Sequence, residues 1–244
     1  MIVNYTETGW EIILQRAHGN LAAQIAAHWK KQERPQRWTE TLLAIGEHDD
    51  AQTELEQHDL ITENGGPVNF KMKTFELARC RQMIDFSLSK SRYIALLTSM
   101  HINFLHIKEA QTNPEAKAFL AEQETLRTEW RKALNITLEE AEKTYALLEW
   151  ADAFSLLVCQ RQYQPEQRSV EIGSGPHQQA HQLIQLNEKT LTVKPWPFEE
   201  EEFMVQYDLR LLSQLSFVDN EAFKQGLLAA EVQENVWVIR KEKA

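Results

Sequence analysis

Residues 42–50, which read Leu-Leu-Ala-Ile-Gly-Glu-His-Asp-Asp, decide how the rest of the chain is interpreted. The pattern is typical of a helix whose apolar side, formed by Leu42 and Ile45, leads directly into His48 and Asp49. An imidazole and a carboxylate on a core-facing surface are costly to bury unless a partner compensates them. A metal ion would be such a partner, provided that other helices supply further ligands.

Composition sets the class of protein before any motif is considered. The chain has 244 residues, enough for one large domain or for one domain with a small addition. Its net charge of −10 argues against general nucleic-acid binding, which depends on Lys and Arg neutralising phosphates. No apolar run reaches the roughly 20 residues that cross a bilayer, and the first residues lack a signal-peptide pattern. We therefore expect no membrane association and a cytoplasmic location.

Hydrophobic periodicity predicts a mainly helical protein with strands at its two ends. A β-hairpin, Ile2–Thr6 and Trp10–Leu14, precedes the helices, and a polar stretch at 51–73 predicts a long loop. We expect residues 1–164 to form a helical domain that includes this hairpin. We expect residues 165–244 to form a small β-rich (α+β) appendage packed on that domain.

Several side chains that commonly bind metals interrupt apolar helical faces. Asp152, for example, lies four residues after Leu148 and four before Leu156, so all three share one face. A buried carboxylate needs a cation, and no Lys or Arg lies three or four residues from Asp152. Imidazole and carboxylate ligands suit Mn, Fe, Zn or Ni. The candidate ligands for such an ion are His18, His48, Asp49, His101 and Asp152.

This arrangement resembles the HD superfamily of metal-dependent phosphohydrolases, in which a His on one helix, an adjacent His-Asp pair on the next helix and a distant Asp on a late helix bind one or two divalent metal ions. The resemblance implies an HD-like helical bundle in which His18, His48, Asp49 and Asp152 bind metal. It also implies that His101 is the additional histidine of members with an expanded or two-metal site.

The chain more closely resembles an uncharacterised bacterial family known only as a domain of unknown function. This resemblance extends over almost the whole chain. The segments that carry it are Met1-Ile2-Val3, Gln15-x-x-His18, His48-Asp49-Asp50, Leu96-Leu97-x-Ser99-x-His101, Asp152 and Pro195-Trp196-Pro197-Phe198.

Four further residues are candidates for catalysis or substrate binding. Asp50 and Glu54 are candidate catalytic groups, because proton transfer requires a carboxylate near the reacting water. Arg16 and Arg92 are candidate substrate-binding residues, since charge-assisted hydrogen bonds from arginine suit a phosphate group.

The function that these predictions favour is metal-dependent hydrolysis of a phosphate ester of a nucleotide or small metabolite. Two alternatives stay open. The same residues suit an iron centre that performs oxygenation rather than hydrolysis. They also suit a polar core in a non-enzymatic protein that binds a ligand or another protein, because a lone buried histidine is commonly bonded to a backbone carbonyl. The sequence leaves the oligomeric state open.

Overall fold

The structure, a computed structural model, describes residues 1–50, 54–56 and 58–242. The predicted loop at 51–73 falls partly on residues outside this description. The strands and helices are, in chain order, β1 (Ile2–Thr6), β2 (Gly9–Ile13), α1 (Gln15–Ala27), α2 (Trp38–Gly46), α3 (Leu77–Lys90), α4 (Arg92–His106), α5 (Pro114–Leu134), α6 (Leu138–Cys159), β3 (Ser169–Gly173), β4 (His181–Asn187), β5 (Thr190–Lys194), β6 (Glu202–Leu212), α7 (Asn220–Ala229) and β7 (Glu231–Arg240).

A mixed β-sheet joins the two ends of the chain. Within the described residues it has seven strands, in the order β1-β2-β6-β7-β5-β4-β3. β2 pairs antiparallel with β6, so that Trp10 lies opposite Leu212. β7 lies between β6, with which it is antiparallel, and β5, with which it is parallel. The sheet therefore contains strands from both sides of residue 164.

One face of the sheet is covered by helices. Along β6 the side chains of Phe203, Val205 and Tyr207 are buried, whereas the intervening Met204 is exposed. The buried side chains belong to the same apolar core as Ile25 of α1 and residues of α6. This alternation is the pattern expected of a strand with one face on the core and the other in solvent.

The prediction of a mainly helical, HD-like bundle with a small β-rich appendage is wrong. The protein has an α+β fold in which the sheet forms a full layer and the helices pack against it. Period-two alternation within a strand shows which side chains face the core, but it does not identify the partner strand. The pairing of Trp10 with Leu212 joins strands far apart in sequence, so local patterns gave no signal for it.

Capping residues fix the starts of the two most buried helices. The Ser91 side chain accepts a hydrogen bond from the backbone N–H of Ile94 at the start of α4. Thr137 and Glu140 form a capping box at the start of α6.

None of the helices in the described part of the chain combines the length and the apolar character that crossing a membrane requires.

Helices α1 and α2 approach closely at two glycines. A Cβ atom on Gly19 of α1 would lie 2.5 Å from the carbonyl oxygen of Gly46, the last residue of α2. The absence of a side chain at Gly19 therefore lets the two backbones meet. His18 immediately precedes Gly19 on α1, and His48 lies two residues after Gly46. The contact between the two glycines therefore places the two histidines close to each other.

Candidate metal centre

The structure brings together the five side chains that were predicted from the sequence as metal ligands. His18 lies in α1, His48 and Asp49 follow the end of α2, His101 lies in α4 and Asp152 lies in α6. All are buried except Asp49, whose side chain is 18% exposed. Four separate segments of the chain therefore contribute to one polar cluster inside an apolar core.

The distances between the ligand atoms match those around one metal ion. The Nε2 atoms of His18 and His48 are 3.2 Å apart, and they lie 3.4 and 3.2 Å from Oδ1 of Asp152. Both Nε2 atoms lie 3.7 Å from Oδ2 of Asp49. Four ligand atoms placed tetrahedrally at zinc-like bond lengths would be about 3.3–3.6 Å from one another.

His101 lies at the side of this group. His48, Asp49 and His101 each have one ligand atom within 4.8 Å of a ligand atom of the other two. His48 and Asp49 are therefore close to His101 as well as to His18 and Asp152. This spacing suits His101 as a further ligand of the same ion or as a ligand of a second ion.

Hydrogen bonds orient three of the candidate ligands. Nδ1 of His48 lies 2.7 Å from the carbonyl oxygen of Ile45, to which its N–H donates, and this leaves Nε2 with a lone pair for a metal. The Gln15 amide donates to Oδ2 of Asp49 at 2.8 Å. The Tyr145 hydroxyl lies 3.4 Å from Nδ1 of His101.

The charges of the cluster couple its pKa values. Burial alone would lower the pKa of His48, but the carboxylates of Asp152 and Asp49 outweigh burial and raise it to about 9. Burial would raise the pKa of Asp152, but His48 and His18 hold it well below its usual range. Burial and the neighbouring His48 lower the pKa of His101 to about 4. His101 is therefore a neutral imidazole at pH 7, the form that binds metals.

The charge of the cluster also matches a divalent ion. With all three imidazoles neutral, the two carboxylates carry two negative charges, which one divalent cation neutralises. Without a metal, a proton on His48 supplies part of this positive charge. A proton and a metal ion would therefore compete for the same position.

This competition predicts a pH dependence for the metal-free protein. The pKa of His48 is raised from 6.5 to about 9 in the folded state, so the charged imidazole stabilises the fold. This contribution is complete below pH 6.5 and is lost as the pH rises through 9. We expect a decrease of at most about 3 kcal/mol in the free energy of unfolding across this window. Urea unfolding of chelator-treated protein at several pH values measures it.

The metal-loaded protein is the control for this measurement. Its stability should not fall over the same pH window, because the metal replaces the proton on His48. A His48→Gln variant should lack the decrease in the metal-free state as well. A flat profile for the metal-free wild type would contradict the assigned interaction between His48 and Asp152.

A cavity of about 280 Å³ opens beside the cluster. Its lining includes Asp49, His101 and Asp152 as well as Gln15. The Gln15 Oε1 atom is buried and has no hydrogen-bond partner among the described residues, so it can accept a hydrogen bond from water or a ligand. The candidate metal centre is therefore accessible to a small molecule from one side.

The other predicted site residues have different surroundings. Arg16 donates to Asp50 with Nε at 2.6 Å, and the two side chains form an ion pair near the surface. Arg92 is exposed at the first residue of α4. Glu54 is buried, and its Oε1 accepts a hydrogen bond from the backbone N–H of Gln15 at 2.7 Å. Arg16, Asp50, Glu54 and Arg92 are not among the residues that line the cavity.

Two residues that orient the cluster were not selected from the sequence. Gln15 precedes His18 by three residues, and Tyr145 precedes Asp152 by seven, so each lies on the same helix face as a ligand. This spacing was the available signal. The contacts themselves depend on residues of other elements, Asp49 for Gln15 and His101 for Tyr145.

The fold and the site define a class: an α+β protein with a buried histidine–aspartate cluster that can hold a metal ion. The chain belongs to the family described as "Protein of unknown function (DUF3891)", whose model matches residues 1–214. The expected membership of a domain-of-unknown-function family is thereby confirmed. No curated protein and no solved structure matches the chain. None of these comparisons relates the chain to the HD superfamily.

Proposed function

We propose that this protein is a metal-dependent hydrolase that acts on a phosphate ester of a small molecule. One or two divalent transition-metal ions (Mn, Fe, Zn or Ni) would be held by His18, His48, Asp49 and Asp152, with His101 as a further ligand. One observation carries the proposal: three members of a ligand set of matching charge and spacing, Asp49, His101 and Asp152, also line a cavity that a small molecule can enter.

The residues around the centre fit hydrolytic chemistry. A divalent metal lowers the pKa of a water molecule that it binds, which makes hydroxide available at neutral pH. Gln15 holds Asp49 in place through its amide, and its Oε1 atom is left to accept a hydrogen bond from a molecule in the cavity. In ester hydrolysis the water oxygen forms the new P–O bond, the ester P–O bond breaks, and the leaving oxygen takes a proton.

A second candidate function rests on the innermost three residues. His18, His48 and Asp152 are two imidazoles and one carboxylate within ligand distance of one another. This ligand set, with positions left open, is the one used by non-haem iron(II) oxygenases. An iron-specific requirement, a dependence on O₂ and a visible absorption band would identify this chemistry in place of hydrolysis.

Metal analysis tests the proposal directly. We expect protein purified without added metal or chelator to contain close to one or two equivalents of a transition metal. The His48→Ala/Asp49→Ala double variant should lose this metal, because it removes two of the ligands. The exposed His177, which pairs with Glu33, provides a control variant, His177→Ala, that should retain the metal.

Activity is then measured with p-nitrophenyl phosphate and a panel of small phosphate esters, using the metal found. Hydrolysis by the wild type and the control, but not by the double variant, is the expected result. Failure to bind Mn, Fe, Zn or Ni would contradict the proposal and leave the polar-core alternative. A bound metal without hydrolysis of any ester, but with O₂ consumption, would favour the oxygenase.

A further inference from the structure

The wall of the cavity beside the metal centre is largely apolar. Besides the candidate ligands, α3, α4 and α6 contribute Met83, Ile102, Leu105 and Leu156 to it. Such a wall favours a ligand with a hydrocarbon part, because burying apolar surface is favourable. A fully hydrated polar ion would gain little from these contacts.

The carboxylates that line the cavity are mostly engaged in other interactions. Asp49 and Asp152 belong to the metal centre. Glu109 accepts a hydrogen bond from the backbone N–H of Phe75 at 2.9 Å and lies 3.5 Å from Nδ1 of His106. Glu76 is exposed at the start of α3.

Two cations lie close together in the same wall. Arg79 is half-buried in the first turn of α3, and its guanidinium forms no ion pair or hydrogen bond with the part of the chain that the structure describes. Lys73 is also half-buried. Burial lowers the pKa of Lys73 and the positive charge of Arg79 lowers it further, whereas the nearby carboxylates of Asp59, Glu54 and Glu76 oppose both effects. A half-buried guanidinium next to a second cation is unfavourable by itself, and an anion between them would relieve the repulsion.

The start of α3 adds to this positive potential. The helix has no acidic residue in its first turn, and Glu76 makes no capping hydrogen bond through its side chain. The N-terminal end of a helix carries partial positive charge. The α3 terminus and the two cations therefore act in the same direction, and the carboxylate of the N-cap residue Glu76 opposes them.

We propose that the cavity binds a small amphipathic anion. Its anionic group would contact Arg79 and Lys73, and its apolar part would pack against Met83, Ile102 and Leu156. This inference rests on the proposed function in one respect, which is the position of the bond that is cleaved. That bond would lie at the end of the cavity lined by the candidate metal ligands Asp49, His101 and Asp152. A cavity volume of about 280 Å³ suits a small metabolite rather than a polymer.

Calorimetric titration with alkyl phosphonates tests this assignment, because a P–C bond is not a substrate for ester hydrolysis. We expect butylphosphonate to bind the protein as purified at least about tenfold more tightly than methylphosphonate, since the longer chain buries three more CH₂ groups. Arg79→Gln should weaken butylphosphonate binding about ten- to hundredfold, because it removes a charge-assisted hydrogen bond.

Matched variants separate the anion contact from general damage. Arg79→Lys keeps the charge and should retain most of the affinity. Arg168→Gln alters an exposed arginine that pairs with Glu166 and should have no effect. Met83→Ser should reduce the preference for butylphosphonate over methylphosphonate while leaving methylphosphonate binding nearly unchanged.

The outcomes distinguish this inference from the proposed function. If Arg79→Gln retains its metal and binds butylphosphonate as the wild type does, the inference is overturned while the proposed hydrolase stands. If the protein holds no metal but its phosphonate affinity still depends on Arg79, the anion site is supported and the hydrolase fails. Equal affinity for both phosphonates in the wild type would overturn the apolar part of the assignment.

Discussion

Asp152→Asn is expected to lower the metal affinity of the protein at least about 100-fold, because even residues that merely support ligands cost 10–100-fold when changed. The substitution keeps the shape of the side chain but removes the negative charge that lies 3.2 and 3.4 Å from the Nε2 atoms of His48 and His18. In the metal-free protein it also removes the main cause of the raised pKa of His48, which should fall toward its ordinary value. Equilibrium dialysis with elemental analysis measures the affinity, and NMR titration of the imidazole measures the pKa.

Asp208→Asn is the matched control for this experiment. Asp208 is exposed on β6 and has no contact with the cluster, so its substitution should change neither the metal affinity nor the pKa of His48. Wild-type metal affinity in a correctly folded Asp152→Asn variant would show that Asp152 is not a ligand. The centre would then need to be rebuilt around His48, Asp49 and His101.

Gly19→Ala is expected to destabilise the protein and to weaken metal binding, although alanine is the better helix former by about 1 kcal/mol. Its new Cβ atom would lie 2.5 Å from the backbone oxygen of Gly46, which cannot move away as a flexible side chain would. Overpacking of this kind costs about 1–3 kcal/mol, of which the helix propensity of alanine offsets about 1 kcal/mol, so we expect a net loss of up to about 2 kcal/mol in the free energy of unfolding. Separation of α1 from α2 should also move His18 away from His48.

Gly46→Ala tests whether this result depends on the contact or only on replacing a glycine. The nearest atom to a Cβ on Gly46 is the Ala23 Cβ at 3.4 Å, which is an ordinary contact. We therefore expect near wild-type stability and metal content for this variant. Urea unfolding and elemental analysis of both variants make the comparison. Equal effects of the two substitutions would contradict the close approach of the helices at Gly19.

The members of the buried histidine–aspartate cluster could be predicted from the sequence because they break a periodic pattern. Asp152 lies between Leu148 and Leu156 on an apolar face, and no cation lies nearby on the same helix. Burial of such a carboxylate without a partner is so costly that convergence with His18 and His48 was the simplest solution. Their mutual distances and their shared electrostatics required the three-dimensional structure.

The pairing of the strands and the cations that line the cavity were harder to predict from the sequence. The first predicted strand matches β1, Ile2–Thr6, because alternation and turn signals are local. The pairing of β2 with β6 is not local, and it changes the fold class. Arg16 and Arg92 were selected as substrate-binding cations, whereas the cations that line the cavity are Lys71, Lys73 and Arg79. Charged side chains carry no periodic signal that tells which of them faces a cavity.

The position of β7 has a consequence for how the protein is made. Glu231–Arg240 lies between β6 and β5, and it links the β1-β2-β6 half of the sheet to the β5-β4-β3 half. During synthesis on the ribosome, the strand that pairs with both halves is therefore missing until residue 240 has emerged. The helices can collapse earlier, but the inner edges of β6 and β5 stay unpaired until then and are prone to intermolecular pairing. Completion of the sheet therefore waits until the strand at its centre has left the exit tunnel.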